Sequence, residues 1–159
     1  MEQDGTVRVD PRDAVARVYQ EQGAKLWRAL YAYTGNREIA SDALAEAIAQ
    51  ALAHRSGPEE PDRWIWTVAF RVASGELKRS GRERPLLDMS YTMAEPAIDL
   101  LRALGTLSPR QRAVVILSAY CGYPTREIAR VLGSSSATVR VHLSQGRRRL
   151  RAELEGDDG

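Results

Sequence analysis

The chain has 159 residues, enough for one ordinary domain or two small ones, with the apolar and charged shares of a soluble globular protein, 43% and 28%. Its apolar runs, such as residues 113–117, are far too short to span a bilayer, and no leader precedes a cleavage site, so a cytoplasmic protein without membrane insertion is expected. The net charge of +2 conceals an asymmetry: residues 1–105 carry −2, residues 106–152 carry +8, and residues 153–159 carry −4, which suits one module facing phosphates beside another facing something else.

Residues 1–10 lack apolar periodicity and are expected to be disordered. From Pro11 onward Val15, Val18, Tyr19, Leu26, Leu30 and Tyr33 recur at helical spacing, and Gly35 and Asn36 break the pattern. A second helix carries Ile39, Leu44, Ile48 and Leu52 on one side, with alanines filling the rest, and Ser56-Gly57-Pro58 marks a loop. A third opens at Pro61, where a first-turn proline is tolerated and Asp62 complements the helix dipole, and it turns Trp64, Val68 and Val72 inward. Residues 81–97 hold Gly81, Pro85 and Pro96 with little periodicity and read as a linker.

Beyond it, Ile98, Leu101 and Leu104 define a short helix that runs to Gly105. Ser108 and Gln111 form a capping box at the start of an apolar helix, which Gly122 ends, and Gly133 ends the helix after that. No β-alternation of useful length appears. The expected fold is all-α: a three-helix bundle over residues 11–80, a linker over 81–97, a helix-turn-helix domain over 98–152 and an acidic tail over 153–159.

Two helices joined by a short Gly/Ser turn, the second studded with arginine, have the layout of a DNA reader. In the last helix Val139, Leu143 and Leu150 fall inward, leaving Thr138, Arg140, Val141, His142, Gln145, Arg148 and Arg149 outside. Ser135 is the expected N-cap, with Ser136 beside it at a helix start that attracts phosphate. Arg140 is the best base reader, because a guanidinium bonds guanine in two places. Thr138, His142 and Gln145 can donate to bases or backbone, while Arg126, Arg147, Arg148 and Arg151 suit phosphates. A solvated helix end is the plain alternative for this cluster.

In the third helix Arg71, Lys78 and Arg82 form a basic stripe, with Arg79 nearby. Trp64 and Trp66 have the look of a base-stacking pair, although packing in the bundle is the expectation for Trp64. Asp42 and Glu46 lie four apart on one helix face, either as a binding patch or as an ordinary acidic surface. No histidine, glycine-rich phosphate loop or nucleophile motif accompanies them, so catalysis is not expected. One cysteine, Cys121, and two distant histidines leave no basis for a disulfide or a metal centre, and no cofactor is expected.

Leu107-Ser108-Pro109-Arg110-Gln111-Arg112, Glu127-Ile128-Ala129, Leu132-Gly133 and Thr138-Val139-Arg140, in that order and spacing, resemble region four of the extracytoplasmic-function sigma factors of bacterial RNA polymerase. Arg37-Glu38, Asp42, Glu46 and the helix over residues 64–79 resemble their region two more weakly. The resemblance spans about residues 13–80 and 106–152, with no room for the intermediate domain of larger sigma factors. It implies a protein that binds core RNA polymerase and directs transcription initiation at promoter DNA. Asp42 and Glu46 would then meet the polymerase clamp, Arg71, Lys78, Arg79 and Arg82 the downstream promoter element, and the closing helix-turn-helix the upstream element. An anti-sigma factor is a further partner that the resemblance allows.

The chain also departs from the family pattern. Arg71 and Gly75 stand where the family usually has asparagine and aspartate, Ala45 replaces a frequent glutamine, Ile48 and Leu52 replace large aromatics, and Ser134 replaces an aliphatic residue. Two other readings therefore stay open: a sigma-like DNA-binding regulator that does not melt promoters, and an interaction module that occupies polymerase or another regulator.

Overall fold

The computed structural model describes residues 9–81 and 94–156; the chain start, most of the expected linker and the last three residues lie outside it. Helix α1 (Pro11–Thr34) opens on Asp10, whose carboxylate accepts from the Arg12 amide, and closes on Gly35 at φ 68°. Asn36 then caps α2 (Arg37–Ala53) by accepting from the Ile39 amide. Two residues thus reverse the chain, because glycine takes the left-handed conformation and asparagine supplies the missing acceptor. Helix α3 (Pro61–Arg79) starts with its proline in the first turn and completes a three-helix bundle.

The inward face of α2 is its alanine stripe, not the side of larger residues. Ala40, Ala43, Ala47 and Ala51 are buried with Leu44, whereas Ile39 and Ile48 are half-buried and Leu52 is exposed. Small side chains let α2 lie close against α1 and α3, which a face of isoleucine and leucine would prevent. Tyr19 also differs from expectation: it is 54% exposed, its ring lying along Gly23. In α3 the buried set is Ile65, Trp66, Val68, Ala69, Phe70, Ala73 and Leu77, with Trp64 and Val72 at the margin of the core.

The second module comprises α4 (Glu95–Gly105), α5 (Pro109–Val115), α6 (Thr125–Leu132) and α7 (Ser136–Gly156). Helix α4 begins inside the expected linker, and α7 continues into the expected acidic tail. The capping box is present in both directions: the Gln111 amide donates to Ser108 Oγ at 3.2 Å, and the Ser108 amide donates to Gln111 Oε1 at 3.2 Å. Helix α5 runs without a break into a π turn, Ile116–Tyr120, which periodicity does not reveal. Among the described residues there is no strand, and no helix is long and apolar enough to cross a membrane.

The two modules share one core. Helix α6 packs on α3, and α1 meets α4, α5 and the π turn. Tyr123 stands edge-on to Trp66 at 5.4 Å between ring centres, and Arg63 of α3 reaches Glu127 of α6 at 3.7 Å. At the centre lies Arg112, wholly buried. Its Nε donates to the Tyr33 carbonyl at 2.7 Å, one Nη donates to the Leu107 carbonyl at 3.1 Å, and its guanidinium carbon sits 5.4 Å from the Tyr33 ring centre.

Tyr33 is among the last residues of α1, whose closing turn has no basic residue and whose final carbonyls lack helical partners. Arg112 supplies that turn with both a donor and a cation. Burial pulls its pKa below the usual arginine value, with Tyr33 opposing the shift. One of the nine arginines counted in the basic block is therefore an internal fastener and not part of a surface.

Replacing Arg112 with methionine is expected to cost about 2–4 kcal/mol in urea unfolding, since two buried carbonyls lose their donor. A second expectation contrasts two glycines within helices. A Cβ at Gly146 would stand 2.8 Å from Val115 Cγ2, whereas one at Gly75 meets nothing within 4 Å. Gly146→Ala is expected to destabilise by about 1–3 kcal/mol through overpacking. Gly75→Ala should stabilise by about 0.5–1 kcal/mol through helix propensity; equal shifts in thermal midpoint for the two variants would contradict this packing.

Candidate nucleic-acid interface

Helices α6 and α7 meet across Gly133, Ser134 and Ser135. Gly133 takes φ 62° and its amide donates to the Ala129 carbonyl, so α6 stops within one residue. Ser135 Oγ accepts from the Thr138 amide at 3.1 Å, and the Ser135 carbonyl accepts from Val139 at 3.0 Å. The first turn of α7 is therefore capped by side chain and main chain together. Val139 and Gly146 are buried beneath α7, and Leu143 and Leu150 pack at the margin of the core. Gly146 was not foreseen: its missing side chain lets α7 settle on Val115 and Gln111 of α5.

At about 100° per residue, the side of α7 opposite this seam carries Ala137, Arg140, Val141, Ser144, Arg148 and Arg151, all exposed. Arg140, Arg147, Arg148 and Arg151 border one open concavity of about 420 Å³ with Leu143 and Ser144. The remaining expected readers lie round the helix: Thr138 and Arg140 are separated by roughly 160°. Thr138 Oγ1 is engaged with Ser135 Oγ at 2.8 Å, and Gln145 Oε1 accepts from Gln111 at 3.3 Å. His142, expected outside, is half-buried, and its Nδ1 has no hydrogen-bond partner. Ser136 is half-buried in the first turn, and Arg126 is exposed at the start of α6.

Two residues not named as contacts, Val141 and Ser144, occupy the middle of the outward face. Val141 is 53% exposed, an apolar side chain with no core to join. The signal in the sequence was spacing, since Ser144 lies midway between Arg140 and Arg148 at intervals of four.

In the first module Asp42 and Glu46 are both exposed on α2, and Glu46 accepts from Gln50 at 2.8 Å. Arg71 and Lys78 are both exposed on α3. They border a cleft of about 470 Å³ between α3 and the second module, opposite Arg110 and Arg130. Arg79 is exposed and paired with Glu76, and Arg82 lies outside the described residues. Trp66 is not available for base stacking: it is wholly buried, stacked near Phe70, and its Nε1 donates to Gln22 at 2.9 Å. Burial also pushes the Cys121 thiol up to about 11, leaving it protonated and unreactive at neutral pH.

Residues 97–150 match the family model for region 4 of sigma-70, which places this helix-turn-helix in the class of promoter-reading domains. The ECF RNA polymerase sigma factor SigL of Mycobacterium tuberculosis is 33% identical over 157 residues, covering 87% of this chain and 87% of SigL. RNA polymerase sigma factor SigV of Bacillus subtilis is 25% identical over 142 residues, covering 83% of this chain and 86% of SigV. The chain belongs to the extracytoplasmic-function (ECF) RNA polymerase sigma factors.

Solved structures share its fold across both modules. The sigma factor RpoE of Bartonella quintana, in complex with the anti-sigma factor NepR, superposes with a TM-score of 0.72 at 18% identity, covering 91% of this chain and 96% of RpoE. CnrH, in complex with the cytosolic domain of CnrY, gives 0.70 at 21% identity, covering 92% of this chain and 90% of CnrH.

Ser135→Ala removes the α7 cap and is expected to lower stability by about 1 kcal/mol. The accompanying loss of hydrogen-exchange protection should be confined to the first turn of α7, at the Thr138 amide.

Proposed function

We propose that α7 reads the upstream promoter element through its outward face, with Arg140 on a base edge, Val141 and Ser144 beside it, and Arg148 and Arg151 on the phosphates. The protein itself is a sigma factor, which binds core RNA polymerase and directs initiation at promoters. The observation that carries the α7 reading is its placement: a capped helix seated on α5 through Gly146, with one arginine-rich side left open. A guanidinium bonds guanine twice, and an exposed valine suits a thymine methyl group. Arg147 donates weakly to Ser118 Oγ at 3.5 Å, a contact readily exchanged for a phosphate.

Asp42 and Glu46 are assigned to polymerase docking, an acidic pair that stands clear of the DNA-facing helix. Arg71, Lys78 and Arg79 are assigned to the downstream element, together with Arg82. The chain acts in the cytoplasm, where polymerase works, and contributes no catalytic step. An anti-sigma factor would act on it by competing for the same surfaces.

Run-off transcription with purified core polymerase tests the whole reading: promoter-specific transcripts should require this protein. Specific DNA binding without such transcripts would instead make it a regulator that does not melt promoters. Arg140→Ala is expected to relax discrimination by about 1–3 kcal/mol at one upstream base pair. Arg148→Ala should weaken binding to all sequences alike and reduce the salt slope by about one. Equal losses on specific and random DNA would remove Arg140 as a base reader.

A further inference from the structure

We propose that the cleft between α3 and the second module is a binding site for a small polyanion carrying two or more linked phosphate groups. Arg71 and Lys78 of α3, Arg110 of α5 and Arg130 of α6 all border it, and among the described residues no carboxylate does. Among the described residues Arg110 is held only by the Leu132 carbonyl at 3.4 Å, and Arg130 shares Glu127 with Arg63. Arg71 and Lys78 have neither an ion pair nor a hydrogen bond among the described residues. Its volume of about 470 Å³ falls in the range of small-molecule sites. The recess lies between packed helices and is more enclosed than the groove of α7.

Three features select linked phosphates. Four cations drawn from both modules border one cleft, Arg130 sharing Glu127, and a multivalent anion can meet several of them at once. Three of the four are guanidiniums, whose planar forks match phosphate oxygens. Gly75 in the cleft wall leaves open space where a Cβ would project, so ligand atoms can approach the α3 backbone. Tyr33 and Phe70, with ring centres 5.3 Å apart, also line the cleft and add apolar surface.

An anion touching both walls stabilises the packing of the two modules by mass action. If Arg71 and Lys78 serve the downstream element as assigned above, bound anion and bound promoter exclude one another there. This consequence rests on that assignment; the site itself does not.

Isothermal titration of the full-length protein with inorganic tripolyphosphate at fixed ionic strength is expected to show one saturable site. Orthophosphate should bind more weakly, and adenosine triphosphate distinguishes bare phosphate recognition from added contact of a base with the Tyr33 and Phe70 rings. Gly75→Asp places a carboxylate in the cleft and should weaken tripolyphosphate at least about tenfold, while uncharged Gly75→Asn should bind within about twofold of the original. Arg71→Gln with Lys78→Gln should abolish binding, whereas Arg148→Gln with Arg151→Gln on α7 should leave it intact. Absence of saturable binding, or loss in the α7 variant with none in Gly75→Asp, would overturn the proposal. Because neither DNA nor polymerase enters the titration, its failure and a failure of promoter reading are separate results.

Discussion

Arg112 couples two problems that neither module solves alone. The closing turn of α1 ends with carbonyls facing inward and no basic residue of its own, while α5 carries a guanidinium flanked by apolar residues 113–117. Each is costly to bury alone, since an unpaired buried charge or carbonyl forfeits its hydration. The 2.7 Å bond from Arg112 to Tyr33 serves that carbonyl and one guanidinium nitrogen, the Leu107 carbonyl takes a second, and the third has no hydrogen-bond partner among the described residues. The same seam holds the edge-on contact of Tyr123 with Trp66, the ion pair from Arg63 to Glu127, and the cleft beside Phe70.

Three helix junctions were legible because caps are local chemistry. Gly35 with Asn36, Ser108 with Gln111, and Gly133 with Ser135 each satisfy helix ends within three residues, and sequence spacing reveals such bonds directly. What stayed hidden depends on distance between helices. The alanine face of α2 is inward because α1 and α3 lie close, a fact no hydrophobicity ranking contains. Arg112 counted as surface charge for the same reason, since its carbonyl partner lies 79 residues away.

The candidate reader was legible in composition but not in angle. Arginines recurring through residues 140–151 marked α7 as the basic helix, and Arg140, Arg148 and Arg151 do share its open side. Thr138, His142 and Gln145 were grouped with them although they lie on another flank. Val139, Leu143 and Leu150 already marked the inward side, and Gly146, a residue that carries no hydrophobic signal, completes it. On α3 the exposure of Arg71 and Lys78 was foreseeable, and the cleft that they border with Arg110 and Arg130 was not.

The π turn at Ile116–Tyr120 is, in register, a helix holding one residue more than an α-helix of the same span. Its Ile116 carbonyl accepts from Cys121 at 3.2 Å, and the Leu117 carbonyl accepts from Tyr123 at 3.0 Å. Loss of a single residue from α5, with the π turn kept, would swing the following chain by about 100° about the helix axis. Tyr123 would then leave Trp66, and α6 would enter the helix-turn-helix from a different direction. The segment is therefore intolerant of length change even where it tolerates change of residue, so an alignment of related chains should place its gaps elsewhere.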